Sequence, residues 1–517
     1  MPDIYSSDKI ISLNDFTSIR KDLRNQKLKV IHCHGVFDLL HPGHIAHLEE
    51  AKSIGDVLVV SITSAPYVNR GPGRPFFSDE LRMKSLAALA CVDYVLLIEA
   101  PTAFEVVDVV QPDYYVKGKE YANFQDDVTG NIDKEAALVR SYGGDVYFTD
   151  GVVFSSTKLL NENFNVFPPG VREFAQGFAL RHPFSEIREV IEALSQVKVL
   201  VIGDIIIDEY LFCGIQGLTS KDRALSARYQ KEELYLGGSL AIARHLANFS
   251  DQVTVCGIMG DEGRLHSRIL NDLSAKMRLD LLFDPEFRTV IKRRFVARRG
   301  IRNDYDKLFS INYLPDDEGN ERVDRQSFYT KLEQNVENYD LVVVADYGHG
   351  LLDATTLNII QSKAKVLAVN CQTNSSNYGT NLITKYRRAD LFTVDERELR
   401  LAMANSTLQV EQLLRKLKKQ LQARIGWVTL GSLGAVVING LQHPMRTPAL
   451  TLTVQDTVGA GDAFFALASL TAQQGVSPEV SSFIGNIAGA MAANILGNSQ
   501  AVEKGALLKF ATTLLKF

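Results

Sequence analysis

His34-Gly35-Val36-Phe37-Asp38-Leu39-Leu40-His41-Pro42-Gly43-His44 is the stretch whose reading decides the fold of the front of the chain. It joins a β-branched run, Lys29-Val30-Ile31-His32, to a helix-like stretch, Ile45-Ala46-His47-Leu48-Glu49-Glu50-Ala51-Lys52, and a second apolar run, Val57-Leu58-Val59-Val60-Ser61-Ile62, follows. Strand, helix and strand in that order make a βαβ unit and a parallel sheet. Gly35 permits a tight turn at the strand end, and a helix starting near Gly43 points its N-terminus at the same spot, where anions bind. His41 and His44 are then placed to donate hydrogen bonds to a triphosphate and to the charge that builds on its α-phosphorus during in-line attack. The same residues also fit two half-buried histidines that cap a helix. Zinc is disfavoured, because Pro42-Gly43 gives no helical i,i+4 pair and no third ligand is evident.

Outward from this unit the alternation continues through Tyr94–Ile98 and Tyr114–Lys117 to about Leu160. Pro168-Pro169-Gly170 and Pro183 then break both periods, so residues 161–196 read as a junction. A fresh strand starts at Val199-Leu200-Val201-Ile202-Gly203-Asp204, and further strands are expected at Leu341–Ala345, Val366–Val369 and Trp427–Leu430. The fold class is therefore α/β, with two parallel-sheet domains over residues 1–160 and 197–517. With 517 residues, 46% of them hydrophobic, the chain can bury more than one core. A net charge of -5 argues against a general nucleic-acid binder. Five scattered cysteines without a C-x-x-C pair suggest neither a disulfide framework nor a zinc knuckle, and fit a reducing cytosol. No apolar run reaches the length of about 18 residues needed to span a bilayer, and no signal-like start is present.

A second loop near the end, Asp456-Thr457-Val458-Gly459-Ala460-Gly461-Asp462, carries its own chemistry. Gly459, Ala460 and Gly461 place consecutive backbone N–H groups in a small-residue turn that opens a helix, a nest for the charge on a transferred γ-phosphoryl. Asp462 at its edge can accept the proton of an attacking hydroxyl. The plainer reading of the heptapeptide is a glycine-rich helix start with an acidic residue complementing the dipole.

The front loop resembles the signature of the cytidylyltransferase family, and further matches run through Gly73-Arg74-Pro75, Arg82, Val116-Lys117-Gly118 and Ser155-Ser156-Thr157-Lys158. The resemblance implies a Rossmann-like nucleotidyltransferase fold in which His41, His44 and Lys117 stabilise the transferring phosphate. It also places Gly35, Val36, Phe37, Arg82, Ser155, Ser156 and Thr157 at the nucleotide. Tyr67 and Arg70 stand where synthase-like members carry lysines, a departure at the sugar-phosphate contacts. Read without the family, Lys117 is an ordinary surface lysine and Ser155-Ser156-Thr157 an N-cap.

The back loop resembles the signature of the ribokinase-like (PfkB) carbohydrate kinases, whose order of motifs the rest of residues 197–517 follows. The resemblance implies a ribokinase-like fold with a small β lid and Asp462 as catalytic base. It puts Asp204, Asp208, Gly237 and Gly238 at the sugar, and Thr429, Gly431, Gly434, Gly459, Ala460, Gly461 and Asn486 at the nucleotide. Glu398 would help place Mg²⁺ through water, and Asp456 is a candidate ligand for a monovalent cation, K⁺. Ala241, Asn370 and Asp395 replace residues usual in heptose kinases, and Asn370–Asn377 replaces a shorter segment, so the sugar pocket is expected to differ. The basic run Lys292-Arg293-Arg294-Phe295-Val296-Ala297-Arg298-Arg299 reads as a lid strand with its charge turned to solvent or phosphate.

Together the halves resemble bifunctional ADP-heptose synthases with the domain order reversed. That implies ATP- and Mg²⁺-dependent phosphorylation of a sugar or sugar phosphate, then transfer of a nucleotidyl group from ATP or CTP to the sugar 1-phosphate. The expected setting is cytoplasmic, as a homodimer, with sugars and nucleotides as partners and neither nucleic acid nor membrane. Two other readings stay open: a polyol- or sugar-phosphate cytidylyltransferase whose kinase-like half only binds or dimerises, and an RNA-binding protein using Arg293 and Arg294.

Overall fold

The structure is a computed structural model that describes residues 8–68, 74–119, 131–150, 170–260, 273, 275–299, 304–315, 323–439, 444–450, 454 and 456–516. The chain forms two compact units, one of Met1–Gln176 with Gly505–Phe517 and the other of Gly177–Lys504. The division falls inside the stretch read as a junction, and that stretch is not bare linker: it forms the helices Val171–Arg181 and Phe184–Ala193. Pro183 sits as the N-cap of the second, where its missing N–H costs nothing. The final helix, Lys504–Leu515, groups from Gly505 onward with the first unit, which corrects the expectation that residues 197–517 form one domain.

In the first unit, β1 (Val30–Gly35), β2 (Val57–Thr63), β3 (Tyr94–Ile98), β4 (Tyr114–Gly118) and β5 (Asp145–Thr149) form one sheet in the order β3-β2-β1-β4-β5, and every pairing is parallel. Both faces are covered. Val30, Val57 and Val59 pack with Phe16 and Val107 on one side, and Ile31, Cys33, Val60 and Ile62 pack with Leu48 and Leu86 on the other. Such a doubly covered sheet reads as near-continuous apolar runs, which is how β2 reads.

The second unit holds β6 (Lys198–Gly203), β7 (Ile205–Leu218), β8 (Leu225–Gly237), β9 (Gln252–Met259), β10 (Arg278–Phe283), β11 (Val290–Arg299), β12 (Asp304–Tyr313), β13 (Leu341–Asp346), β14 (Leu367–Cys371), β15 (Leu391–Asp395), β16 (Ile425–Thr429), β17 (Ala435–Asn439) and β18 (Met445–Thr447). The main sheet runs β10-β9-β6-β13-β14-β15-β16-β17-β18, parallel as far as β16 and antiparallel beyond. A separate four-stranded sheet, β12-β11-β7-β8, makes the lid.

In both units the strand order reverses direction at one place, between β1 and β4 in the first and between β6 and β13 in the second. Crevices beyond the carboxyl ends of strands at such switch points are where open α/β sheets bind ligands. The two motif loops leave β1 and face β6 and β13 respectively.

Candidate active sites

At the first switch point, β1 pairs with β4 so that Cys33 lies opposite Val116, which sets His34 and Lys117 side by side at the strand ends. His34 is held on both ring nitrogens, Nδ1 2.8 Å from Ser61 Oγ and Nε2 3.3 Å from Thr63 Oγ1. Burial drives its pKa well below the usual histidine value, and the Lys117 ammonium adds to the effect, so the ring is neutral. His32, behind it, shares Ser61 at 2.7 Å and is pushed by burial down to about 3.

His41 is the N-cap of the helix Pro42–Ser53, with extended backbone and its side chain accepting from the His44 N–H. That bond, 3.3 Å to Nδ1, leaves Nε2 as the proton-bearing nitrogen. The His41 and His44 rings stack at 3.9 Å, and Phe37 meets His44 edge-on at 5.2 Å. Capping and phosphate handling, alternatives in the sequence, are thus compatible in one residue. Phe37 itself adopts a left-handed φ of 46°, and its ring lies 3.0 Å from where a Cβ on Gly35 would stand. A side chain at 35 would have to push the Phe37 ring aside by a few tenths of an ångström.

Lys117 is not a solvated surface lysine. Its side chain is 12% exposed, its Nζ lies 3.3 Å from Glu135 Oε2 and 4.6 Å from the Tyr115 ring centroid, and Tyr115 O–H donates to the same carboxylate at 2.9 Å. Arg82 is placed differently from a nucleotide ligand. Its buried guanidinium donates to the carbonyls of Val36 at 2.6 Å and Thr63 at 2.9 Å and to Asp79 Oδ1 at 2.6 Å, so it braces the Gly35–Phe37 turn from behind. Asp38 ties the turn to the following loop by accepting the N–H groups of Phe76 at 2.8 Å and Phe77 at 2.9 Å. Ser155, Ser156 and Thr157 lie outside the described residues, as do Arg70 and Gly73. Ser61, Thr63 and Glu135 were missed by motif reading, since each is an ordinary strand or helix residue until the sheet aligns them.

The second site gathers three of the expected carboxylates, Asp204, Asp208 and Asp462, around Lys292. Gly459, at φ 85°, is the N-cap of the helix Ala460–Gln473, and a Cβ there would stand 1.6 Å from Asn498 Oδ1. Asp462, in the first turn, is buried, and its Oδ1 accepts from Tyr347 O–H at 2.9 Å and Gln372 Nε2 at 2.8 Å. Burial raises its pKa, which these two donors oppose. Asp204 Oδ2 accepts the N–H groups of Tyr347 at 2.9 Å and His349 at 3.2 Å, and burial with Asp346 nearby lifts it to about 6. Gly237 and Gly238 leave room for the carboxylate of Asp208 and the carbonyl of Asp204, which a Cβ would meet at 2.5 and 2.4 Å. Lys292 faces this set: its ammonium is held among Asp208, Asp204 and Asp462, 5.6 Å from the Tyr347 ring centroid, and burial lowers its pKa.

The lid run corrects one expectation. Arg294 pairs with Asp208 and Arg293 with Glu209 at 2.6 Å, because β11 lies parallel to β7 with Lys292 opposite Asp208 and Arg293 opposite Glu209. These guanidinium groups are engaged by lid carboxylates, not turned to solvent or phosphate as the sequence alone predicts.

On the nucleotide side, β16 carries Thr429 to the Gly431–Leu433 turn. Gly434, at φ 89°, packs so closely that a Cβ would lie 2.0 Å from the Thr447 carbonyl. Asn486 is buried in the helix Pro478–Ala492 and donates to Ser482 O at 2.9 Å. Glu398 closes a capping box with Asp395 and accepts one N–H on each oxygen, from Thr373 and Asp395, both at 2.9 Å. Burial, then Asp395, raises its pKa to about 7. One acceptor site remains on each oxygen, which fits a water of a hydrated Mg²⁺, a cation that keeps several of its waters.

Asp456 does not fit a cation. Its Oδ1 accepts from Lys307 Nζ at 3.1 Å and Val458 N–H at 3.1 Å, and its Oδ2 from Tyr210 O–H at 3.2 Å and Gly497 N–H at 3.2 Å. Four donors fill the acceptor capacity of a carboxylate, so K⁺ ligation there is corrected. Lys307, Tyr347 and Gln372 were not singled out from the sequence; Gln372 lies in the segment marked as altered, and Tyr347 directly follows a strand end.

Comparison with known proteins finds two families in the chain. Residues 32–162 match the cytidylyltransferase-like family and residues 293–504 the pfkB family of carbohydrate kinases. The bifunctional protein HldE of Syntrophotalea carbinolica is 38% identical over 153 residues, 29% of this chain and 29% of that protein. That of Pseudomonas savastanoi pv. phaseolicola is 37% identical over 155 residues, 30% and 31% of the two chains. The chain thus spans less than a third of the length of these curated relatives. Among solved structures it is similar to phosphofructokinase-2 from Escherichia coli with substrates and products (14% identity, TM-score 0.49, 62% of this chain and 99% of that one). Arabidopsis thaliana ribokinase with ribose and ATP is also similar (19% identity, TM-score 0.46, 62% and 99%).

The chain is therefore a two-part α/β protein, a cytidylyltransferase-like region followed by a pfkB-family carbohydrate kinase region. In sequence order the cytidylyltransferase-like region comes first and the pfkB-like region second.

Proposed function

We propose that the chain makes a nucleotide sugar in two steps. The observation that carries this reading is the pair of helix starts, each with a proton-handling side chain at a switch point: His41 with His44, and Asp462 behind Gly459.

In the kinase region a sugar hydroxyl attacks the γ-phosphorus of ATP. The new O–P bond forms as the bond to the β-bridging oxygen breaks, the hydroxyl proton passes to Asp462, and ADP leaves. Tyr347 and Gln372 orient Asp462, the amides of Gly459 to Gly461 receive the developing charge, and Asp204 and Asp208 bind sugar hydroxyls. Glu398 would hold Mg²⁺ through water, and the ion when bound neutralises phosphate charge. In the nucleotidyltransferase region a phosphate oxygen of the sugar 1-phosphate attacks the α-phosphorus of ATP or CTP, and pyrophosphate leaves. His41 Nε2, His44 and Lys117 stabilise that centre, joined by Ser155, Ser156 and Thr157 as the resemblance implies. A heptose-like sugar is the substrate class that the resemblance to bifunctional ADP-heptose synthases implies. A homodimer in the cytoplasm belongs to the same reading; the outer lid exposes Ile215, Leu218, Tyr229 and Phe309, an apolar face suited to a second copy.

The test is a screen of the purified chain for ADP release against sugars and sugar phosphates, and for pyrophosphate release with ATP or CTP against sugar 1-phosphates. Asp462→Asn should abolish the first and spare the second. If it leaves ATP-dependent phosphorylation intact with the fold preserved, the kinase assignment is wrong and the non-catalytic reading of this half takes its place.

A further inference from the structure

We propose that the Lys307 ammonium takes the place of a monovalent cation at the foot of the anion-binding loop, so that the kinase region works independently of K⁺. The proposal rests on the kinase reading above and concerns how its loop is charged.

Asp456 begins the loop that ends in Asp462, and it is 7% exposed. A buried carboxylate is costly to desolvate unless a positive charge accompanies it. Two neutral backbone donors and the Tyr210 phenol satisfy hydrogen bonds but bring no net charge. Lys307 Nζ, 3.1 Å from Oδ1, is the charged group that hydrogen-bonds to it, and the Arg294 guanidinium, engaged by Asp208, acts on the same carboxylate only through space. Its position is set by the fold: Lys307 stands on β12 of the lid, where Lys307 lies opposite Val296 of β11, and Tyr210, on β7 of the same sheet, holds the other oxygen. The lid therefore grips the loop through one carboxylate from two strands.

The same carboxylate also receives Gly497 N–H, and Gly497 is wedged so that a Cβ would lie 2.8 Å from the Tyr235 ring and 2.9 Å from that of Tyr210. Its neighbour Asn498 abuts Gly459, the N-cap whose amide neighbours would receive the phosphoryl charge. The ammonium, the carboxylate and the glycine nest thus form one connected piece. A cation bound there would have to displace Lys307, since every acceptor position on Asp456 is filled. A tethered ammonium supplies the charge at no cost in ion binding, and 45% of its side-chain surface remains exposed, so it need not be fully desolvated.

The experiment compares the full chain in potassium, sodium and tetramethylammonium chloride at equal ionic strength, reading sugar-dependent ADP release and melting temperature. Wild type should show rates within about twofold and the same melting temperature in all three salts, because nothing binds selectively. Lys307→Met should be slower by about tenfold in tetramethylammonium, and K⁺ should restore its rate and raise its melting temperature. Lys307→Arg, which keeps the charge, should stay indifferent to salt. Strong stimulation or thermal stabilisation of wild type by K⁺ would overturn the proposal, as would a Lys307→Met protein that is unaffected in every salt or is slowed without rescue. If Lys307→Met does not fold, the wild-type comparison decides. If no sugar is phosphorylated at all, the kinase reading fails, while the melting measurements still report on the ion.

Discussion

The phenol of Tyr347 donates a 2.9 Å hydrogen bond to the same Asp462 oxygen that accepts from Gln372. Tyr347 stands just beyond β13 and Gln372 just beyond β14, so two neighbouring strand ends converge on one carboxylate. A base held by two donors is oriented, and its ionised form is favoured against the pull of burial. Tyr347→Phe removes one donor. We expect kcat to fall by about tenfold, in line with the loss of a hydrogen bond to a charged group, and the acidic limb of the kcat–pH profile to move to higher pH. An unmoved acidic limb would show that Tyr347 does not tune Asp462.

His41 both caps a helix and presents Nε2, and substitution can separate the roles. Asn caps as well as His does but lacks the second nitrogen. His41→Asn should therefore keep the melting temperature and lose nucleotidyl transfer by about a hundredfold or more, the scale of losing a donor to a developing oxyanion. His41→Ala should lose about 1 kcal/mol of stability in addition. Equal melting temperatures for both variants would remove the capping role.

Arg82→Met is expected to destabilise the first unit by about 3 kcal/mol, because three acceptors, one of them the Asp79 carboxylate, lose their buried partner. Chemical denaturation followed separately for the two activities should show loss of nucleotidyl transfer at lower denaturant while the kinase midpoint stays. A near-neutral effect would mean that water replaces the guanidinium.

Gly459→Ala meets both a left-handed backbone and the side chain of Asn498. The backbone term alone is about 1 kcal/mol, and the clash must move the loop that carries the amide nest. Phosphorylation should drop by about a hundredfold with nucleotidyl transfer unchanged; retention of kinase rate would separate the nest from catalysis.

Stability should depend on pH through Glu398. Its folded pKa of about 7 lies above the ordinary 4.5, so between those values the native state keeps a proton that the unfolded chain has lost. The unfolded state then binds fewer protons, and stability falls as pH rises through about 7. Asp204, raised to about 6, acts in the same direction. Glu398→Gln should flatten the decline of Tm between pH 5 and 8, as scanning calorimetry can measure, in a window set by the linkage of about 1.4 kcal/mol per pH unit per proton. An identical slope in the variant would rule Glu398 out as its source.

Much of this was legible in the chain itself. β-branched runs at Val30, Val57, Tyr94 and Tyr114 announced the first sheet, and each became a strand within a few residues of its expected bounds. The front loop lies where strand and helix signals meet and the back loop where a helix opens, because glycine and a helix start are local requirements that must be written in consecutive residues. Arg82 and Lys117 were found by pattern, yet what they touch, Val36 and Thr63 for one and Glu135 for the other, involves residues far apart in the chain with no shared motif.

Periodicity and turn chemistry, which are short-range, determined by themselves that there are two α/β regions, where their sheets lie and which two loops can hold phosphate. Only the tertiary structure decided the charge state and partners of those loops: that Asp462 hangs between Tyr347 and Gln372, that the lid arginines answer Asp208 and Glu209, and that Asp456 is neutralised by Lys307 from 149 residues away. Burial and pairing are properties of neighbours in space, and the register of the sheets, not the order of the chain, chooses those neighbours.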